Sequence, residues 1–202
     1  MPDAQGDEQM HEIAIRRLEP GLLDDWLRFF DRDAFADNRD WSGCYCHFYH
    51  ADSARKAWES RTADENRTAS CELIAAGRMQ GYLAYVDGRP VGWCHAAPRA
   101  GIPNIANEAE LAVDDAQNVG SIVCFVVAQA FRKQGVARSL LDAACAGFRE
   151  RGLRTAEAYP RRAATGDAAN YHGPLALYLQ AGFTPFRELP NVLMVRRECG
   201  PG

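Results

Sequence analysis

Lysine is almost missing from this chain of 202 residues: only Lys56 and Lys133 are lysines, and the other basic side chains are arginines. That bias reads as genome composition rather than an anion-binding device, because Arg16-Arg17, Arg161-Arg162 and Arg196-Arg197 stand as pairs and form no patch. A strong excess of charge of one sign is missing too. The formal net charge is -4, so no global field recruits nucleic acid. No apolar run approaches the ~20 residues that cross a bilayer, which argues against a membrane partner. The segment Met1 to Met10 is polar and acidic, unlike a basic-then-apolar leader, so a cytoplasmic location is expected. Nor is there a disulfide framework: the seven cysteines are odd in number and scattered singly apart from Cys44 and Cys46, which suits reduced thiols. No internal repeat or low-complexity linker divides the chain. An apolar share of 47% then supports one core-bearing domain over residues 11–198, behind a disordered tail at 1–10.

What is present alternates between two periods. Glu12 to Leu18 alternates as a first strand, and Pro20 opens a helix through Ala36 with Leu22, Leu23, Trp26, Leu27 and Phe30 at helical spacing. Asp37 to Ala51 reads as an aromatic, cysteine-rich loop, and Ser53 to Ala76 as a helix with Ser53 as its N-cap. Gly81 to Val86 and Val91 to Ala97 are strands joined by Asp87-Gly88-Arg89-Pro90, a hairpin signal. Pro98 to Val119 lacks periodicity and is expected to be a long, mobile connection that covers a substrate. Ser121 to Val127 and Thr155 to Tyr159, separated by a helix from Gln134 to Arg151, imply a parallel crossover. Phe183 to Glu188 and Asn191 to Arg197 close the layout as a hairpin. The sum is an α/β fold with a mixed sheet of about six to seven strands flanked by helices.

The stretch with the most chemistry in it is Val123-Cys124-Phe125-Val126-Val127 followed by Ala128-Gln129-Ala130-Phe131-Arg132-Lys133-Gln134-Gly135-Val136-Ala137. It reads as a buried strand, a basic loop with a glycine, and the first turn of a helix. Such a turn has unpartnered N–H groups and partial positive charge, so it suits a phosphate or pyrophosphate. The loop is neither Gly-x-Gly-x-x-Gly nor a loop ending in Gly-Lys-Ser/Thr, which excludes two common nucleotide motifs. Arg132-x-x-Gly135-x-Ala137 instead resembles the acetyl-coenzyme A loop of the GNAT N-acetyltransferase superfamily. Further on, Tyr171-His172-Gly173-Pro174-Leu175-Ala176-Leu177-Tyr178-Leu179-Gln180-Ala181-Gly182-Phe183 resembles the second signature of that family, a short helix carrying a tyrosine and ending in Gly-Phe. The resemblance covers roughly residues 80 to 197, and the N-terminal third matches in pattern only.

The resemblance implies the GNAT fold, acetyl-CoA as cosubstrate, no metal, and an N-acetyltransferase acting on a primary amine. It places the coenzyme against Phe125, Val126, Val127, Arg132, Lys133, Gln134, Gly135, Val136, Ala137, Arg138 and Asn170, with Asn170 also able to cap the following helix. The backbone N–H groups of Val126 and Val127 would polarise the thioester carbonyl. Tyr178 would protonate the departing thiolate, although a core tyrosine would occupy the same helix position. Some members carry a carboxylate base at the start of the loop-bearing strand, where this chain has Ser121. Glu157, inside the strand Thr155 to Tyr159, is then the leading base, because a carboxylate buried there is costly unless used or paired, for example with Arg154. Glu108 and Glu110 follow, and a water chain needs no base at all.

Trp41-Ser42-Gly43-Cys44-Tyr45-Cys46-His47-Phe48-Tyr49-His50 has the least ordinary composition. Its ligand spacing is too tight for a four-ligand zinc site. It either folds over the core or walls an acceptor pocket, with Tyr45, His47 and Glu110 as substrate contacts. His95 reads as a satisfied core histidine. No cysteine has a visible base, which favours direct transfer. The partner is expected to be a small-molecule or peptidyl amine, with a cationic small molecule favoured by Glu108, Glu110, Asp114 and Asp115. A homodimer is only the family's habit. Two rivals are a coenzyme-binding sensor without turnover and a transferase for longer acyl groups.

Overall fold

In the computed structural model, residues 12–51, 58–163, 166 and 170–200 are described; the expected tail at 1–10 and the expected cap Ser53 lie outside them. The alternating segment forms β1 (Ile13–Arg17), antiparallel to β2 (Gly81–Val86). β2 turns into β3 (Arg89–Pro98) through Asp87 and Gly88 alone, at φ 50° and 73°. Two successive left-handed residues match the right-handed strand twist, so the hairpin closes in two residues rather than four.

β3 runs antiparallel to β4 (Val119–Val127), and a bulge skips Val123: His95 faces Cys124 while Ala96 faces Ile122. After α4 (Val136–Glu150), β5 (Thr155–Ala158) pairs parallel to β4 only as far as Ile122 and Ala158. Beyond that pair the two strands part. β7 (Leu193–Glu198) lies antiparallel to β5, and β6 (Thr184–Glu188) takes the outer edge, giving the order β1-β2-β3-β4-β5-β7-β6. The expected mixed sheet is therefore present with seven strands.

Each face of the sheet carries its own core. On one, α1 (Leu23–Arg32) packs Trp26, Phe29 and Phe30 against Trp93 and Val126. On the other, α4 packs Leu140, Leu141, Ala144 and Phe148 against Ala84, Cys94 and Ile122. α4 lies so close that a Cβ on Gly120 would sit 2.5 Å from the Phe148 ring.

Two expectations change. The expected helix from Ser53 to Ala76 is interrupted: Trp58 and Glu59 are helical, and α2 (Ala63–Ala75) begins anew after Thr62, where the Glu65 N–H donates to Thr62 Oγ1 at 3.2 Å and the Thr62 N–H donates to Glu65 at 2.7 Å. That reciprocal capping box fixes the helix start. The stretch from Pro98 to Val119 is a chain of short turns, including the single-turn α3 (Pro103–Ala106). It is strapped down by buried Arg99, which donates to the carbonyls of Ile105 at 2.9 Å and Leu111 at 2.7 Å. The last helix is α5 (Leu175–Gln180). Among the described residues no helix is long and apolar enough to cross a membrane.

Candidate active site

The end of β4 sets up the first half of the site. After a single turn at Gln129–Phe131 the backbone is left-handed at Lys133 (φ 61°) and Gly135 (φ 87°), and α4 begins at Val136 with no side-chain cap. Nothing but Ile13, at 3.8 Å, approaches the position of a Cβ on Gly135. The first-turn N–H groups of a long helix therefore lack a side-chain partner beside an open backbone. They border a cleft of about 350 Å³ lined by Phe125, Val127, Arg132, Lys133, Gly135, Val136, Ala137, Arg138 and Asn170, with Gly173 and Leu177 on the far wall. Two residues expected here are engaged elsewhere: the Val126 amide, alternating with that of Phe125, points toward β3 opposite Trp93, and Gln134 donates to the Ala130 carbonyl at 2.7 Å. The Arg132 guanidinium binds Asp37 at 2.6 and 2.9 Å and holds its carboxyl below the usual carboxylate range.

A second cavity, of about 480 Å³, opens on the other side of β4, where Cys124 and Val126 line it. Phe30, Trp41, Phe48, Tyr49, Trp58 and Tyr171 give it an aromatic wall, and the exposed Asp40 and Glu59 add carboxylates. Tyr45 and His47 do not line it; Cys44, Cys46, Phe48 and Tyr49 do. The reason is backbone: Tyr45 and Cys46 are both left-handed, at φ 44° and 52°, which breaks the alternation of the loop. Tyr45 stacks on Phe30 and donates to Asp31 at 2.9 Å. His47 is buried, and burial lowers its pKa to about 4. Glu110 is exposed, lines neither cavity, and only its carbonyl is engaged, by Arg187 at 3.1 Å.

Glu157 also lines neither cavity and is completely buried. Arg99 reaches it at 2.7 Å, Arg196 at 2.6 and 2.7 Å, and the Tyr159 hydroxyl donates to it at 2.5 Å. Both oxygens are thus committed to arginines, and the partner is not the neighbouring Arg154. Ser121 lies 3.0 Å from the Tyr159 hydroxyl and belongs to the same buried network. Tyr178 is completely buried and donates to the His172 carbonyl at 2.5 Å. It packs against Phe125 with ring centroids 6.3 Å apart, one side chain behind the coenzyme-side cleft. Burial lifts its pKa well above a tyrosine's ordinary value, so its hydroxyl keeps its proton.

The model of the acetyltransferase (GNAT) family matches residues 28–183. The chain belongs to that family. No curated protein sequence matches it. Among solved structures, an N-acetyltransferase from Staphylococcus aureus Mu50 is similar with a TM-score of 0.55 at 15% identity, over 93% of this chain and 99% of that one. The PaiA N-acetyltransferase from Thermoplasma acidophilum, in complex with coenzyme A, has a TM-score of 0.54 at 12% identity, again over 93% and 99%. Likenesses at these identities establish the fold. The family model makes the chain an acyltransferase.

The acetyltransferase has donors that fit a coenzyme pyrophosphate: the uncapped α4 terminus, the open approach at Gly135 and the Lys133 cation, with Arg138 beside them held by Asp142 at 2.8 Å. Gly173 is needed for shape, since a Cβ there would lie 3.0 Å from Tyr178 and 3.2 Å from Phe125. Sequence reasoning missed Cys46, Tyr49, His50 and His95 as a group around the second cavity. Its signal was the Cys-x-Cys-His composition of the loop, with the facing inverted by the two left-handed residues. Among the described residues no three His, Cys, Asp or Glu side chains converge as a metal set.

Proposed function

We propose that the acetyltransferase moves the acetyl group of acetyl-CoA to a primary amine carried on a small apolar or aromatic molecule. The observation that carries this reading is the division of β4, with Phe125 and Val127 on the coenzyme-side cleft and Cys124 and Val126 on the aromatic cavity. When bound, acetyl-CoA supplies an acetyl group activated as a thioester. The α4 terminus and the loop around Gly135 would hold its phosphates. The Val127 N–H would polarise the carbonyl: Val127 pairs with Gly92 two residues beyond Phe125, whose N–H points away from β3 toward Tyr171, so both amides face the parted side of the strand. Tyr178, protonated and adjacent to Phe125, is the proposed proton source for the departing sulfur.

The aromatic cavity supports an acceptor class narrower than the sequence allowed. Its volume suits a small molecule, its rings suit an apolar body, and Asp40 suits the ammonium end, with Glu59 and Arg61 of opposite charge also in the wall. The acidic residues Glu108, Glu110 and Asp114 are not part of that wall. Direct transfer from the thioester to the amine is the step this reading takes. The test is release of coenzyme thiol from acetyl-CoA with arylalkylamines, polyamines and peptide N-termini as acceptors. Arylalkylamines should exceed polyamines in kcat/KM by about tenfold, the worth of one buried ring. Release with polyamines alone would remove the aromatic-acceptor reading, and no release with any amine would remove the transferase reading.

A further inference from the structure

The aromatic cavity carries charges of both signs, on different parts of its wall. Asp40 precedes Trp41, whose ring lies 5.0 Å from that of Tyr171. The Tyr171 carbonyl accepts from the Phe125 N–H, so this acidic part adjoins β4. Arg61 is reached by another route. Tyr49, tied to β4 through the Val123 carbonyl, meets Phe48 at 5.4 Å, and Phe48 meets Trp58 at 5.2 Å. The Arg61 N–H then donates to the Trp58 carbonyl at 3.1 Å. Along that wall the rings of Phe48 and Trp58 stand between Arg61 and the strand. We propose that the acceptor is a primary amine with a carboxylate at the other end of an apolar or aromatic body, and that Arg61 holds the carboxylate. This inference rests on the acetyl-transfer reading and narrows its acceptor.

The guanidinium of Arg61 is held in place by uncharged acceptors. Its Nε donates to Asn66 Oδ1 at 2.6 Å and its Nη2 to the Glu65 carbonyl at 3.1 Å. Asn66 is buried and donates to the Gly43 carbonyl at 2.8 Å, which fixes the amide that orients the arginine. Gly43, Ala63 and Asn66 line the cavity beside it. The nearby Glu65 carboxylate is committed to the backbone and hydroxyl of Thr62. Among the described residues Arg61 therefore has no carboxylate of its own, unlike Arg67, paired with Asp31, and Arg132, paired with Asp37. An arginine anchored along one edge, with Nη1 unengaged, is a preorganised donor for a planar anion.

Glu59 stands in the same wall two residues before Arg61, so the field there is not simply positive. Recognition depends on direct N–H···O contact with the guanidinium rather than on a general attraction. The order of charges also sets direction. An acceptor entering amine-first has its ammonium beside Asp40, near β4, and its carboxylate beside Arg61. Reversed, it meets like charge at both places. A polyamine brings a second cation to Arg61, which counts against it for the same reason. An α-amino acid has both groups on one carbon, too short a reach for two charges set apart by rings.

The test compares para-(aminomethyl)benzoate with its methyl ester, which keeps the ring and the amine and removes the charge. Binding is read by calorimetry on the whole protein with coenzyme A present, and turnover by release of coenzyme thiol from acetyl-CoA. The acid should bind at least about tenfold more tightly than the ester, as one charge-assisted pair allows. In Arg61→Gln that advantage should shrink to within about threefold, and Arg61→Lys should keep part of it. A merely structural role for Arg61 would weaken acid and ester alike. Should Arg61→Gln not fold, the wild-type ratio of acid to ester, and its decline with added salt, reads the same contact. Phenylalanine against phenethylamine checks the spacing: a gain there, with none for the benzoate, overturns the separated arrangement. Equal binding of acid and ester, or an advantage that survives Arg61→Gln, overturns the anchor and leaves acetyl transfer standing. Tighter binding of the acid with no thiol released by any amine supports the anchor and removes the transferase reading.

Discussion

The Phe125 N–H donates to the Tyr171 carbonyl at 2.6 Å, across the gap that opens where β4 and β5 stop pairing. His172 reinforces the bridge, its Nδ1 donating to the Val123 carbonyl at 2.9 Å, where the Tyr49 hydroxyl also donates at 2.6 Å. The bridge links Phe125 of the coenzyme-side cleft to Tyr171 of the aromatic cavity, and the proposed transfer between the two would require it to yield. Coenzyme A should therefore speed amide exchange around Tyr171 to Gly173 while slowing it around Lys133 to Ala137. Hydrogen exchange followed by mass spectrometry reads both at once. Slowing at both segments would show that the bridge stays closed when coenzyme binds.

Gly135 separates space from conformation. A methyl there meets only Ile13, but φ is 87°, so Gly135→Ala should cost about 1 kcal/mol of stability through backbone strain. Gly135→Glu adds a carboxylate where phosphates would approach and should weaken coenzyme A binding by at least about tenfold. Calorimetry with thermal unfolding distinguishes the two effects. Unchanged affinity in Gly135→Glu would move the coenzyme away from this loop.

Glu157 is predicted to hold the fold together rather than take a proton. Glu157→Gln leaves Arg99, which is only 2% exposed, without its carboxylate, and removing one partner of a buried pair costs on the order of 3–5 kcal/mol. The expected result is a large drop in melting temperature with kcat, measured well below that temperature, within a few-fold of wild type. Loss of kcat with stability preserved would restore Glu157 as a base.

One buried and two half-buried histidines set an acid limit. Burial lowers the pKa of His47 and His172 to about 4 and of His50 to about 3. In the unfolded chain each would titrate near ~6.5. Above that pH both states leave them neutral and the folded state carries no penalty. As pH falls from about 6.5 toward 4 the unfolded chain gains protons that the folded one refuses, so stability declines through that window. Urea midpoints at pH 7 and 4.5 check this, and His172→Asn should flatten the slope. A flat profile would mean that the folded state accommodates the charged imidazoles.

Short-range signals are what the sequence by itself determined. Alternation marks β1, the Asp87-Gly88 pair marks the β2–β3 hairpin, and a hydrophobic strand followed by Arg132-Lys133-Gln134-Gly135 marks the turn into α4. Each depends on residues within a few positions of one another, where period and turn chemistry act. The start of α2 was legible in principle, since Thr62 and Glu65 form a capping box, but a run of helix formers before it masked the boundary. Tertiary structure alone decided the rest. Glu157 meets Arg196 because β5 pairs with β7, and Arg99 reaches it from the turn that follows β3; no local pattern names those partners. Cys46 meets His95 because two left-handed residues turn its loop back onto β3, bringing together side chains 49 residues apart. Local sequence fixes which way a strand or turn runs, but contacts between distant side chains depend on which strands become neighbours.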